Sequence, residues 1–446
     1  MGFALPMLIQ PIGGRKVLFA AHPCYLDDSN GAAVASRAMM EALARSGFAV
    51  EVFTGTTLEL HPGVALAERL ADLEAQRPGS GDGALAVDAR GWRPGPAPHL
   101  RLVLGGVSIT LHRSTAARSQ DMGEAEMAGF LGLHAAILDG FRPDILVNYG
   151  GDTLAHHLRS MARSRGVAVV FALHNFQYTL TDPFTTVDAV LVPSRYAAEH
   201  YRKTLGLDCA VLPYLIDLDR VRVDQADPKY VTFVNPSYEK GVYVFARLAD
   251  ELGRRRPDIP LLVVEGRGSE RTLVDCGIDL RAHGNVHLMS HTSDPRKFWG
   301  VTRLCLVPSL WRETQGLVAV EAMLNGIPVI ASDRGALPET LGGAGVVLPL
   351  PGRLSPYTRN LPTPAEVAPW VEAVIRLWDD PAASAELSRR GLAEAGRWNP
   401  AVLEPAYVNF FNEVRVGGHR LGFASAGPDG SRRMPAPGGG CRSGGK

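Results

Sequence analysis

The sequence is poor in cysteine: Cys24, Cys209, Cys276, Cys305 and Cys441 are the only five in 446 residues, and no two form a CxxC pair. An odd, scattered set argues against both a disulfide framework and a zinc site, and it suits a reducing cytoplasm. Net charge is absent as well, with 46 basic against 46 acidic residues. No global field therefore draws the chain to nucleic acid or anionic lipid, and any phosphate site has to be local. No apolar run reaches the roughly 18 residues of a membrane span. The N-terminus MGFALPMLIQPIGG lacks a basic n-region and a small-residue cleavage site, so the reading is no signal peptide and no transmembrane helix, with peripheral membrane contact left open. What remains is an ordinary globular composition, 46% hydrophobic and 21% charged, over a length that suits two domains.

The most informative stretch runs from Ser309 to Thr340, SLWRETQGLVAVEAMLNGIPVIASDRGALPET. Glu313 and Glu321 stand eight positions apart with Gly316 between them, which predicts a loop carrying the first and a helix from about Leu317 carrying the second. The helix stops at Asn325-Gly326, and Pro328 opens the strand PVIAS. A helix start offers unpaired N–H groups and a positive dipole end, so the backbone of Gly316, Leu317 and Val318 is fit to hold a diphosphate. Carboxylates nearby would take vicinal hydroxyls through charge-assisted hydrogen bonds. A nucleotide-sugar has both parts.

These residues resemble the Glu-x7-Glu signature of retaining family 4 glycosyltransferases (glycosyl transferases group 1), followed by that family's Gly-x-Pro-Val strand (Gly326, Pro328) and Gly-x-x-x-Glu turn (Gly335 to Glu339). The resemblance implies that Glu313 reaches the donor hexose, that Glu321 binds the ribose hydroxyls, and that Gly316, Leu317 and Val318 contact diphosphate and sugar. It also implies an α/β fold of the GT-B type, two Rossmann-like parallel-sheet domains facing across a cleft. Gln315 departs from the pattern, since the family usually has an aromatic residue before the glycine.

In chain order, KVLFA, the loop HPCYLDDSNG and a periodic helix open an alternation of strands and helices. The loop ends at Asn30-Gly31-Ala32, where family members usually carry a Gly-Gly pair. Gly31 is either a close approach to the donor or part of a plain helix cap. Residues 55–98 read as a long surface excursion, and LRLVLGGVSITLHR as strand resuming a parallel sheet. VAVVFAL ends in His174. A loop imidazole satisfied by backbone is the bland reading, whereas the resemblance implies a histidine that touches the donor sugar near its reacting carbon. His22, His156 and His157 form no metal spacing and are expected to be structural or exposed. Asp217-x-Asp219 matches the family's metal-free linker, so no metal and no other cofactor is expected.

Lys240-Gly241 precedes a helix, where an ammonium would offset charge building on the leaving diphosphate. The family carries a Lys-Gly there, usually with an arginine five residues earlier. Asn235 occupies that place, so either another cation such as Arg267 or Arg312 acts with Lys240, or the donor affinity is modest. Gly266-x-Gly268 lacks the third glycine of a dinucleotide fingerprint, and Met289 to His291 is a candidate base-contacting rim.

The expected organisation is a first, acceptor-binding domain at 1–213, a linker at 214–229, a donor-binding domain at 230–399, helices at about 400–415 packing back, and a disordered tail at 416–446. The expected reaction moves a hexose from a nucleotide diphosphate sugar to a saccharide, lipid or small-molecule hydroxyl with retention. His174, Lys240 and Glu313 are its catalytic candidates. Gly31, Asn235, Gly316, Leu317, Val318 and Glu321 are its donor-binding candidates. The alternatives are an epimerase or phosphorylase on the same fold, or an inactive sugar-nucleotide-binding relative.

Overall fold

The structure is a computed structural model that describes residues 14–58, 66–76, 85–88 and 90–417. The stretch read as leaderless (1–13), parts of the surface excursion, and the tail with Cys441 lie outside these residues. The first half of the chain runs β1 (Lys16–Ala21), α1 (Gly31–Arg45), β2 (Ala49–Gly55), α2 (Leu66–Gln76), β3 (Ala86–Val87), β4 (His99–Leu104), β5 (Val107–His112), α3 (Glu124–Phe141) and β6 (Ile145–Asn148). It continues with α4 (Thr153–Arg163), β7 (Ala168–Ala172), β8 (Ala189–Val192), α5 (Arg195–Leu205) and β9 (Ala210–Val211). One turn of helix, α6 (Leu218–Val221), sits in the connection to the second half. There follow β10 (Tyr230–Val234), α7 (Val242–Arg255), β11 (Leu261–Val264), α8 (Glu270–Val274), β12 (Val286–Met289), α9 (Arg296–Trp299), β13 (Thr302–Val307) and α10 (Leu317–Leu324). The last elements are β14 (Val329–Ser332), α11 (Leu337–Leu341), β15 (Val346–Leu348), α12 (Pro364–Asp379), α13 (Pro381–Ala395) and α14 (Pro400–Glu413).

The strands form two sheets, ordered β3-β4-β5-β2-β1-β6-β7-β8-β9 and β12-β11-β10-β13-β14-β15. A parallel strand covered on both faces favours an apolar run, and β1, β7, β8 and β11 have one, while β10 interrupts its run with Thr232, whose hydroxyl meets that of Thr302 at 2.7 Å. Along β1, Val17, Phe19 and Ala21 face the core that holds Met40 and Leu43 of α1, while Leu18 and Ala20 face Leu158 and Phe171 on the other side. In the second sheet, Val231 and Phe233 pack toward Leu248 of α7 and Trp370 of α12, and Cys305 and Val307 toward Ala319 and Met323 of α10.

LRLVLGGVSITLHR corrects the all-parallel expectation at one edge. It is a hairpin in which β4 runs antiparallel to both β5 and β3. Gly105 and Gly106, at φ +59° and +75°, form its turn. Two glycines between alternating runs allow the left-handed backbone that a tight hairpin needs.

The chain crosses between the sheets twice. The first crossing follows β9 through α6, where the Asp217 carboxylate caps the helix by accepting from Arg220 N at 3.3 Å. The second passes through a turn of 3-10 helix at Gly396–Trp398 into α14, which returns to the first sheet. There Phe411 and Tyr407 enter the core beside Phe48, and the Tyr407 hydroxyl donates to Pro213 O at 2.9 Å, tying the two crossings together.

His22, His112, His134 and His174 are enclosed, and burial pushes all four imidazoles down, His134 and His174 to about 4. The unfolded chain takes up these protons around pH 6.5 and the folded chain at lower pH. Stability is therefore lost as pH falls through that window. We expect calorimetry to show the melting temperature dropping from pH 7 to pH 5. His134→Gln should flatten the slope, because His134 alone accounts for about 2 kcal/mol between pH 7 and pH 5.

Candidate functional site

Helices α7 and α10 start in the same unusual way. Their N-caps, Gly241 and Gly316, have φ of +87° and +88°, and neither end is capped by a side chain. The left-handed backbone favours glycine at both positions. A Cβ on Gly241 would lie 2.0 Å from Pro308 O, and one on Gly316 would lie 2.6 Å from Leu337 Cδ2. Each helix thus presents bare N–H groups and a positive dipole end.

Lys240 and Glu313 stand on the loops that lead into these two helices. Lys240 Nζ lies 2.5 Å from Glu313 Oε1, which also accepts from Ser309 Oγ at 2.8 Å. Leu310 N and Trp311 N both donate to Glu239 O at 2.9 Å, so the loops are laced by backbone as well. The Glu313 loop is further pinned by Gly335, which pairs with it as an isolated parallel bridge, and by Ala336 N donating to Glu313 O at 2.8 Å. Leu317 and Val318 are half-buried at the mouth of α10.

Glu321 lies one turn further into α10. Trp299 Nε1 donates to its Oε2 at 3.1 Å. Burial pushes its carboxyl up to about 7, against the opposing pull of the indole N–H and of Arg220. A carboxyl displaced this far from its ordinary range is a mark of functional sites.

The same loop docks against the first domain. Tyr214 OH lies 2.9 Å from His174 Nδ1 and 3.3 Å from Thr314 Oγ1, and Thr314 Oγ1 donates to His174 O at 3.3 Å. Gln315, fully buried, accepts from Tyr214 N at 2.7 Å and leaves its Nε2 without a partner. The residue in the family's aromatic place is therefore a hydrogen-bonding wedge between domains. Arg312 places its guanidinium 5.1 Å from the Phe176 ring centroid. His174 Nε2 is buried and without a partner. Its ring also borders a cavity lined by Met39, Leu173, Leu212 and Tyr407.

The structure therefore brings Lys240, Glu313, Gly316, Leu317, Val318 and Glu321 into one region and joins His174 to it through Tyr214 and Thr314. Other candidates stand differently. Asn235 is one of two non-glycine residues with positive φ, +62°, among the described residues. Its side-chain oxygen accepts from Gly268 N at 3.0 Å, so it folds the Gly266–Gly268 turn. Gly31 is exposed with open space around it, and the α1 start is capped by Asn30 Oδ1, which accepts from Ala32 N and Ala33 N at 2.9 and 3.3 Å. Arg267 is exposed. His291 of the expected rim lies 3.7 Å from Asp28, whose carboxylate also meets Arg69 at 2.8 Å and Arg220 at 3.3 Å. His22 is buried, His156 half-buried and His157 exposed. Trp299 and Tyr214 went unread in the sequence. They lie 22 and 100 positions from the groups they bond, and no local pattern reports such a contact.

Residues 228–380 match the family model described as glycosyl transferases group 1. A phosphatidyl-myo-inositol mannosyltransferase of Mycolicibacterium smegmatis is 34% identical over 115 residues, a stretch that covers 25% of this chain and 29% of that enzyme. Among solved structures, a sucrose-phosphate synthase from Thermosynechococcus elongatus superposes with a TM-score of 0.62 at 16% identity, covering 89% of this chain and 98% of that one. HepE of Anabaena, in complex with UDP and glucose, gives 0.62 at 14% identity, over 90% and 100% of the two chains. A glycosyltransferase from Rickettsia africae gives 0.63 at 11% identity, over 90% and 98%. Residues 228–380 thus resemble the glycosyl transferases group 1 family, and the chain as a whole has the two-sheet GT-B fold that these neighbours share.

Proposed function

We propose that the protein is a glycosyltransferase that moves a hexose from a nucleotide diphosphate sugar to an acceptor hydroxyl with retention at the anomeric carbon. The observation that carries this reading is the Lys240–Glu313 contact, 2.5 Å, set between two helix starts that each lack a side-chain cap. Bare N–H groups and an ammonium receive a diphosphate, and the neighbouring carboxylate receives sugar hydroxyls. The donor bond from anomeric carbon to phosphate oxygen breaks as the acceptor oxygen bonds the same face. The acceptor proton passes to the departing phosphate, whose growing charge Lys240 and the backbone of Gly316 to Val318 stabilise.

His174 is neutral at pH 7, since burial holds it at about 4. Its Nδ1 is engaged with the Tyr214 hydroxyl at 2.9 Å, which leaves Nε2 as the ring nitrogen to meet a donor-sugar oxygen. That atom is buried and has no hydrogen-bond partner among the described residues. Glu321 takes the ribose. A bound nucleoside whose hydroxyls donate to the carboxylate favours its ionised form, which links binding to proton release.

Metal independence is part of the proposal. Among the described residues no group of three or more His, Cys, Asp and Glu side chains is arranged to hold a metal ion, and Asp217 is engaged in capping α6. Excess EDTA should leave turnover unchanged.

The test is turnover of UDP-, GDP-, ADP- and TDP-hexoses, read as nucleotide release, with product stereochemistry by NMR. Lys240→Ala should lower kcat by roughly 100- to 1,000-fold, the scale of losing one preorganised charge contact. No release from any donor by the unaltered protein would refute the reading. Calorimetric titration with the nucleotide that binds should show affinity rising from pH 6 to pH 8, with about half a proton released per site near pH 7. Glu321→Gln should remove the proton release and weaken binding about tenfold.

A further inference from the structure

Glu339 closes the family's Gly-x-x-x-Glu turn, yet it touches neither Glu313 nor Lys240. Its carboxylate points across the domain boundary to the start of α5. Arg195 N donates to Oε1 at 3.0 Å and Tyr196 N to Oε2 at 2.8 Å. These are N1 and N2 of an 11-residue helix whose cap, Ser194, already serves Ala197 N at 3.1 Å. The three donors of the α5 start are thus shared between one group from each domain. The Arg195 guanidinium adds a weaker contact, Nε to Oε1 at 3.6 Å. A carboxylate at a helix N-terminus gains from both the hydrogen bonds and the dipole.

The position of Glu339 in the chain gives this contact its reach. It lies in α11, four residues after Gly335, the residue bridged to Glu313. The Arg397 guanidinium, in the second crossing, donates to Glu339 O and Thr340 O at 2.5 and 2.8 Å and fixes the rest of α11. One short rigid piece therefore connects the first domain, the second crossing and the backbone that carries Glu313.

We propose that Glu339 is a positioning residue, a latch that holds the two domains closed by binding the N-terminus of α5 and thereby places Glu313 for transfer. It acts through the Gly335–Glu313 bridge. Donor affinity belongs to the second domain, so the latch governs the chemical step more than nucleotide binding. The kinetic part of this inference rests on the transfer reading above; the conformational part does not.

The two sides of the contact are testable separately. Glu339→Ala removes the acceptor. Arg195→Pro removes one donor without harming the helix, because N1 tolerates proline and Ser194 is already extended, at φ −149° and ψ 156°. Arg195→Ala keeps the N–H and serves as the control. Small-angle scattering on the full chain should give a larger radius of gyration for Glu339→Ala and Arg195→Pro than for the unaltered protein and Arg195→Ala. Glu339→Gln, which retains one neutral acceptor, should fall between. For the donor found above, with UDP as the first probe, kcat should fall about tenfold in both opening variants, their nucleotide Kd should stay within about twofold, and the double variant should be no worse than Glu339→Ala. Unchanged scattering in both Glu339→Ala and Arg195→Pro would overturn the latch, whatever the turnover. If no nucleotide-sugar is turned over by any of the proteins, the transfer reading fails while scattering still decides the latch.

Discussion

Gly335 has no room for a side chain. A Cβ there would stand 2.3 Å from Glu313 O and 2.4 Å from Glu313 N, so the two loops that follow β13 and β14 meet backbone to backbone. Everything around the candidate site is built on that approach. It sets the height of Glu313 above the sheet, from which the carboxylate reaches Lys240 and Ser309. It also starts α11 at the angle from which Glu339 reaches α5. Contacts this close leave few alternative arrangements, because a packed interior does not deform continuously.

The two signature glutamates are separated by environment as much as by position. Glu313 faces an ammonium and a hydroxyl. Glu321 faces an indole N–H, with Arg220 further off, and burial drives it up to about 7. The first is tied into an ion pair and a hydroxyl contact, while burial holds the second well above the usual carboxylate range. A similar division holds for the cations: Lys240 meets a carboxylate inside the site, while Arg312 lies over Phe176 at the domain boundary.

The sequence was most legible where chemistry and local backbone coincide. Glycine before a helix, a carboxylate after it and an Asn-Gly stop mark Glu313, Gly316 and Glu321 within one short stretch, and Lys240-Gly241 repeats the device. The two-sheet fold was legible for a related reason, since most central parallel strands are short apolar runs alternating with helical segments. Reading failed where a residue works at long range or against its usual preference. The structural part of Asn235, a left-handed backbone with its side-chain oxygen bonded to Gly268 N, was not read from the sequence. Gln315 bonds a backbone N–H 101 positions away. The hairpin of β4 and β5 was missed although Gly105-Gly106 was in view, because the surrounding alternation of helix and strand favoured a parallel reading.

Two strands of chain join the domains, one after β9 and one at Gly396–Trp398, and Tyr407 holds them side by side through Pro213 O. A body attached at one point pivots freely in any direction, whereas one attached at two points swings about the line between them. Relative movement of the two domains is therefore confined to a swing about that line, a motion that would carry His174 of the first domain past Lys240 and Glu313, which stay paired on the second.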